Sequence, residues 1–442
     1  MQFLEKRRIF LNFRIITLGC KVNQYESQVM HEAMTANGYI SAASDENADI
    51  TIINSCTVTS AGDSKNRKLI RRLRRENPDG IIVLTGCMPQ AFPKDTELFE
   101  GCDIVLGNAS RKELLPSLKR YFERPGQIVS ISPHQERGEA FEKMSASAFD
   151  EHTRAFIKIE DGCNRFCSYC IIPYARGRVR SKDLSDLYKE AAGLAENGYK
   201  EIVLVGINLS AYGQGTQFNI CDAVECVSSV SGVERIRLGS LEPERMDRET
   251  INRLAVCKKL CPQFHLSLQS GCDETLRRMN RHYNCAEYER IVSDLRSAFE
   301  NCSITTDIMV GFAGETQENF EESIAFAQKI GFAKIHVFAY SRRKGTVADK
   351  APNQVSEREK SSRSAEMLAA AAELRKNFLQ GQVGKTQQVL FERMRSGGWC
   401  EGYTMNYTPV HVNSETDISG QILSVKITQA YDDYCTGELI KN

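Results

Sequence analysis

Short apolar runs that alternate with helical segments are the feature that most restricts the fold of this chain. In its first third, four runs fit buried strands that lead into a turn containing Gly or Asn. They are RIITLGC, DITIINSC, GIIVLTGC and CDIVLGN. Segments of mixed polarity and helical periodicity lie between them. This alternation predicts an N-terminal parallel α/β (Rossmann-like) domain over residues 11–124.

Three of these predicted strands end at a cysteine, namely Cys20, Cys56 and Cys87. In an open parallel sheet, ligands bind in the crevice beyond the carboxyl ends of the strands. One cysteine at such an end is ordinarily a buried thiol. Three at equivalent ends favour a metal site.

A second alternation follows the polar segment 124–151, which we interpret as a connection between domains. Six strand–helix units predict a partial (β/α)6 barrel, and a long helix over 356–379 follows them. Together they form a predicted core domain over residues 149–378. Short alternating runs over 379–442 then predict a small antiparallel β-barrel. The fold class is therefore α/β with an added all-β domain.

The stretch DGCNRFCSYC carries Cys163, Cys167 and Cys170 in the spacing C-x3-C-x2-C, just after the first barrel strand. Thiolates bind iron strongly, and a cubane cluster has four irons, so three cysteines leave one iron open to another ligand. A structural zinc is the alternative, but it needs a fourth protein ligand. The loop contains none, and the nearest upstream histidine, His152, precedes the first strand.

Composition narrows the chemistry of these thiols. The 442 residues contain sixteen cysteines, no apolar run long enough to span a membrane and no secretory signal, which predicts a cytoplasmic protein with no membrane association. In a reducing compartment such cysteines are metal ligands and thiols rather than disulfides.

Acids and bases balance at 57 each, but the bases are clustered. Two segments, Lys65–Arg75 and Ala175–Lys182, are strongly basic and each follows one of the candidate ligands. They favour contact with a polyanion such as RNA over the ordinary alternative of a solvated helix face.

The cysteine triplet after the first strand of a partial barrel resembles the radical S-adenosylmethionine (SAM) superfamily. That resemblance implies a [4Fe–4S] cluster whose open iron is chelated by the amino and carboxylate groups of SAM. Electron transfer to the sulfonium then releases a 5′-deoxyadenosyl radical.

The resemblance extends over nearly the whole chain. The motifs TLGCKVNQYES, INSCTVTSAGDSKNRK, VLTGCMPQ and DGCNRFCSYCIIPYARGRVRS are similar to those of the methylthiotransferases in this superfamily. The first two most resemble the branch that acts on N6-threonylcarbamoyladenosine (t6A) beside the tRNA anticodon. The resemblance implies that Cys20, Cys56 and Cys87 hold a second [4Fe–4S] cluster, and that the closing segment is a TRAM-like RNA-binding domain.

The same resemblance implies a set of SAM contacts at strand ends. It assigns them to Asn208, Ser240, Glu242, Gln269 and Gly311, whose acceptors and close backbone approach suit a zwitterion and a ribose diol. The chain departs from the family pattern at Ala313, where proline is expected, and at Ser55, where threonine is common. Neither departure removes a ligand.

The expected function is therefore methylthiolation of C2 of t6A in tRNA, with two [4Fe–4S] clusters, SAM and an electron donor of the flavodoxin or ferredoxin type. Two alternatives stay within the enzyme class: the target could be isopentenyladenosine in tRNA or a ribosomal-protein aspartate. A third alternative is a non-catalytic iron–sulfur protein that binds RNA as a redox sensor.

Overall fold

The computed structural model describes residues 11–43, 47–135, 139–149 and 153–440; His152 lies outside them. The chain divides into two compact units. The first unit comprises residues 1–147, 160–182 and 341–349, and the second comprises 148–159, 183–340 and 350–442. The first unit therefore contains both the N-terminal domain and the loop that carries the cysteine triplet.

The first unit is built on a six-stranded parallel sheet. Its strands are Asn12–Thr17 (β1), Ile40–Ser41 (β2), Ile50–Ser55 (β3), Ile81–Gly86 (β4), Ile104–Leu106 (β5) and Ile128–Ser130 (β6). They lie in the order β2-β1-β3-β4-β5-β6. The last strand falls in the segment that the sequence predicted as a connection. It forms the sheet edge with Val129 exposed, so it lacks the apolar run of a buried strand.

Helices cover both faces of this sheet, because its central strands are apolar on both sides. Helices Lys21–Ala36 (α1) and Leu114–Glu123 bury Met30, Met34 and Leu118 on one face. Helix Ser60–Glu76 (α2) buries Ile70 and Leu73 on the other. The short helices Cys87–Ala91 (α3) and Ile172–Arg176 contact each other, and strands Glu160–Asp161 (β8) and Arg180–Ser181 (β9) pair antiparallel.

The second unit contains the partial barrel, which confirms the predicted architecture. Its parallel strands form two sheets, of three and four strands. The strands are Arg154–Lys158 (β7), Glu201–Val205 (β10), Arg235–Leu238 (β11), Ser240–Leu241 (β12), Gln263–Leu266 (β13), Ser303–Val310 (β14) and Lys334–Ala339 (β15). The helices are Leu184–Glu196, Ile220–Ser228, Arg248–Val256, Asp273–Arg278, Cys285–Ala298, Gln317–Ile330 and Glu357–Gln380.

The same unit ends in a closed five-stranded barrel, as predicted. Its strands are Thr386–Met394 (β16), Trp399–Thr404 (β17), Pro409–Asn413 (β18), Ile422–Ala430 (β19) and Cys435–Leu439 (β20). Pairing is antiparallel except between β18 and β20. Arg237 donates to the carbonyl oxygen of Met405 at 3.0 Å, and Arg235 to that of Tyr403 at 3.1 Å, which attaches this barrel to the parallel strands.

Within the described residues, no helix combines the length and apolarity needed to cross a membrane.

Candidate active site

The three N-terminal cysteines lie at one edge of the first sheet. Cys56 and Cys87 directly follow β3 and β4, whose last residues, Ser55 and Gly86, are paired. Cys20 caps the N-terminus of α1, shortly after β1, which is the other neighbour of β3. The topology thus brings together three residues that are distant in sequence, as the strand-end pattern predicted.

Gly19 permits a close approach between two of these cysteines. Its φ of 117° lies in the region that favours glycine, and a Cβ there would stand 2.7 Å from the Cβ of Cys56 and 3.2 Å from its Sγ. Any larger residue before Cys20 would push the Cys56 side chain away.

The thiols influence one another electrostatically. Desolvation raises the pKa of Cys56 to about 11, and the nearby thiols of Cys87 and Cys20 add to this shift. A hydrogen-bond donor also points at Cys87, because Asn108 Nδ2 lies 3.6 Å from its Sγ. Three convergent thiols of this kind fit the donor set of an iron–sulfur cluster with one open iron, whose binding would release the thiol protons.

Arg176 is the buried cation that contacts Cys87. It is fully buried, its Nε donates to Cys87 Sγ at 3.2 Å and its Nη2 donates to Asn23 Oδ1 at 2.9 Å and to Glu26 Oε2 at 3.0 Å. Burial alone would lower its pKa, but Cys87 and the carboxylates of Glu26 and Asp161 raise it well above the usual value. The guanidinium therefore stays charged and balances negative charge at the cysteines.

These contacts correct one expectation for the second basic segment. Arg176 is buried, Arg180 pairs with Asp161 and Glu139, and Lys182 is 4% exposed and donates to a backbone carbonyl. Among the cations of this segment, Arg178 is exposed. The other three serve the interior of the unit and do not form a phosphate-binding surface.

The cysteine triplet lies on the loop between β8 and helix Ile172–Arg176, in the same unit. The amide of Cys163 donates to Gly177 O at 3.0 Å and that of Cys170 to Cys167 O at 2.9 Å, while all three residues are partly exposed. Gly162 has φ of 90°, and a Cβ there would stand 2.0 Å from Arg178 O. A compact loop with three partly exposed cysteines fits a second cluster of the same kind.

Arg343 is a site residue that the sequence did not identify. It is buried beside Cys56, where it donates to Thr57 Oγ1 at 2.6 Å and to Asp63 Oδ2 at 2.7 Å. In the sequence, SRRKGT shows a cluster of cations and gives no sign of which one is buried. Asn23 and Glu26 were also missed, although they are three residues apart on α1 and therefore neighbours on the helix surface.

The residues assigned to SAM follow strands of the second unit, and their role as SAM contacts stays a prediction. Asn208 is buried after β10, Ser240 is exposed in β12, and Gln269 follows β13 with φ of 68°. Glu242 forms an ion pair with Arg281. Gly311 follows β14, donates its amide to Glu315 Oε2 at 2.6 Å and leaves no room for a Cβ beside Lys360.

Helix α2 carries the first basic segment, Lys65–Arg75, largely on its exposed face. Ile70 and Leu73 are buried, and the exposed cations are Lys65, Lys68, Arg71, Arg72 and Arg75. Arg74 is less exposed and pairs with Asp103, while Arg71 and Arg72 form surface pairs with Glu100 and Glu76 at 3.8 and 3.7 Å.

Comparison with known proteins shows the family of this chain. Three family models match the chain: Uncharacterized protein family UPF0004 over residues 12–107, the Radical SAM superfamily over 157–327 and the TRAM domain over 380–440. A threonylcarbamoyladenosine tRNA methylthiotransferase of Bacillus subtilis is 36% identical over 96% of this chain and 95% of its own. The chain belongs to the radical SAM methylthiotransferase family.

Other relatives show the breadth of this family. The tRNA-2-methylthio-N(6)-dimethylallyladenosine synthase of Pelotomaculum thermopropionicum is 33% identical over 97% of this chain and 98% of its own. Among solved structures, the radical SAM methyltransferase TsrM of Kitasatospora setae has a TM-score of 0.57 at 14% identity, covering 76% of this chain and 77% of its own. This last likeness concerns the fold.

Proposed function

We propose that this protein is a tRNA methylthiotransferase that converts t6A to its 2-methylthio derivative. The observation that carries the proposal is the presence of two cysteine trios in one unit, with Arg176 contacting Cys87 on one side and Asp161, two residues before Cys163, on the other. Each trio would hold a [4Fe–4S] cluster with an open iron, one for SAM and one for the sulfur that is transferred.

This arrangement suits the chemical difficulty of the reaction. The hydrogen on C2 of adenine is neither acidic nor readily displaced, so general acid–base catalysis offers no route. When bound, the clusters and SAM would supply the radical and the methylated sulfur, with the electron drawn from an external donor, while the protein supplies binding and orientation.

The roles of the chain's own residues follow from their positions. Cys163, Cys167 and Cys170 would hold the cluster that binds SAM, and Cys20, Cys56 and Cys87 the other. Arg176 balances charge at Cys87. Asn208, Ser240, Glu242, Gln269 and Gly311 would bind the zwitterion and ribose of SAM. The electron would come from a flavodoxin or ferredoxin type of donor.

The tRNA would be held by its backbone and presented with the target adenosine out of its stack. The exposed cations of α2 would neutralise phosphates, and the terminal barrel would add an RNA contact. The domain boundaries that accompany this proposal are 11–124, 149–378 and 379–442.

The choice of t6A follows the Bacillus subtilis relative. Mass spectrometry of tRNA nucleosides from a strain lacking the gene, with and without the restored gene, tests it. Loss of 2-methylthio-t6A is expected. Loss of the dimethylallyl derivative instead would assign the protein to the other branch, which the Pelotomaculum relative makes a real second candidate.

A second experiment separates the enzyme from a redox sensor. Reconstituted protein, reduced without oxygen in the presence of SAM, is expected to release 5′-deoxyadenosine. A protein that holds clusters and RNA but releases none would be a sensor.

A further inference from the structure

A surface groove on the first unit has features that the proposed function does not use. It has a volume of about 520 Å³ and lies beside the cysteine triplet, with Phe166 from the triplet loop and Tyr174 from the following helix in its wall. We propose that this groove binds one unstacked nucleobase of the anticodon loop, next to the adenosine that reacts. This inference rests on the proposed function, since it names a subsite for the same RNA.

The two aromatic rings are presented to solvent. Phe166 is 37% exposed and Tyr174 is 52% exposed, and their ring centroids lie 6.1 Å apart with the planes at 85°. Large aromatic side chains on a surface are stacking platforms for bases, because every base has a π-face. Tyr174 is the more exposed ring and serves as the stacking platform, whereas Phe166, over which Arg178 lies, forms the adjoining wall.

The backbone at Phe166 supports a functional role for this ring. Its φ of 50° lies in the left-handed region, which bulky residues rarely adopt. Backbone strain of this kind persists where the surroundings enforce it, and it is concentrated at functional sites. Here the neighbours in sequence, Cys163 and Cys167, are candidate cluster ligands, so the loop that would bind a cluster also directs the ring outward.

The charge of the groove suits a nucleotide. Arg178 lies over the Phe166 ring, with its guanidinium carbon 4.8 Å from the centroid, and it is the exposed cation of its segment. His134 and Gln135 add polar edges, and none of the described lining residues carries a carboxylate. An arginine next to an aromatic platform can contact a phosphate while the base stacks. Pro93, Pro133 and Pro173 supply rigid apolar walls for a planar base.

The proposal can be tested by RNA binding to the full-length, cluster-loaded protein. The probe is an anticodon stem–loop RNA that carries t6A and has 2-aminopurine in place of one loop nucleotide at a time. Stacking of the reporter on an aromatic ring quenches its fluorescence, so one position next to t6A should be quenched on binding.

Tyr174→Leu is expected to abolish that quenching and to weaken RNA binding roughly tenfold, whereas Tyr174→Phe keeps both. Arg178→Gln should weaken binding of every loop sequence and reduce the slope of log affinity against log salt by about 0.7. Tyr188→Leu is the matched control, because Tyr188 is 47% exposed on a helix of the second unit. Iron content reports whether each variant still forms the triplet loop.

The outcomes are distinct. Loss of quenching and affinity in Tyr174→Leu at unchanged iron content supports the groove. Wild-type affinity and quenching in Tyr174→Leu overturn it, even if tRNA is methylthiolated, and so does quenching that Tyr188→Leu removes instead. Failure of the proposed function would show differently, as wild-type protein that releases no 5′-deoxyadenosine whatever its affinity for RNA.

Discussion

The Nε of Arg176 donates a hydrogen bond to the sulfur of Cys87 at 3.2 Å, inside a fully buried ion pair with Glu26. A cation in a segment that looks suited to RNA is thus part of the interior of the first unit. After its removal the Glu26 carboxylate would still pair with Arg111, at 3.0 Å, but would lose the guanidinium that joins it to Cys87.

Arg176→Gln is therefore expected to lower the free energy of unfolding of the apo-protein by about 1–3 kcal/mol, because the hydrogen bonds of a buried charged pair are lost while Arg111 still compensates the charge of Glu26. Denaturant titration measures this. The double variant Arg176→Gln with Glu26→Gln should recover part of the loss, since it removes both charges and Arg111 keeps the carboxylate of Glu142. Additive losses would show that the two side chains are not coupled.

If each cysteine trio holds one cluster, removing one trio should remove half of the bound iron. The reconstituted wild type should hold about eight irons, and the triple variant Cys20→Ala, Cys56→Ala, Cys87→Ala about four. The triple variant should still cleave SAM and fail to methylthiolate tRNA. Cys102→Ala is the control, because Cys102 is a buried thiol in the core of the same unit. Full iron content in the triple variant would contradict the assignment of these ligands.

Substitution of two glycines by alanine distinguishes a steric clash at the triplet loop from the general cost of backbone strain. Gly162→Ala would force a Cβ to within 2.0 Å of a backbone oxygen, so the triplet loop must move and SAM cleavage should fall together with iron content. Gly38→Ala provides a matched control with positive φ of 85° but no atom within 4 Å of the new Cβ. It should cost about 1–2 kcal/mol of stability from backbone strain and leave iron content unchanged. Equal iron loss in both would indicate general unfolding.

Helix α2 should contribute charge to RNA binding. Lys68→Ala with Arg75→Ala removes two exposed cations and is expected to weaken tRNA binding and to lower the salt slope by at most about 1.8, or 0.9 for each phosphate that is no longer neutralised. Filter binding at several salt concentrations measures both. Lys376→Ala, at an exposed position of helix Glu357–Gln380, is the control. An unchanged slope would show that α2 does not bind phosphates.

Glu201 makes stability depend on pH in the acid range. Burial would raise its pKa, but Arg237 and two further arginines lower it below the usual 4.5. A carboxyl with a depressed folded-state pKa adds stability above its unfolded-state value and loses it as pH falls through the folded-state value. The wild type should therefore lose stability progressively below about pH 4.5.

The variant Glu201→Gln tests this prediction, because it removes the contribution of the Glu201 carboxylate to the pH dependence of stability. Its free energy of unfolding at neutral pH should be about 3–5 kcal/mol lower than that of the wild type, since it leaves Arg237 buried without its carboxylate. The difference should shrink on acidification. A constant difference between the two proteins from neutral pH to about pH 3 would contradict the coupling.

The architecture and the ligand candidates were predictable from the sequence because they depend on local patterns. Apolar runs of strand length that end at Cys20, Cys56 and Cys87 specify both a buried parallel sheet and the edge where those residues meet. The spacing of Cys163, Cys167 and Cys170 specifies a three-thiol loop. The edge strand Ile128–Ser130 escaped prediction because an edge needs little apolar character.

Only the tertiary structure decided which charged side chains are buried in ion pairs and which are exposed to solvent. The sequence around an arginine does not indicate whether its guanidinium binds a phosphate or a buried carboxylate. Its charge is permanent in both cases, and the carboxylate that binds it is distant along the chain. Arg176 lies 150 residues from Glu26, and Arg343 lies 280 residues from Asp63. Periodicity reports burial of apolar side chains and carries no information about such pairs, so the roles of these cations appear only once the chain is folded.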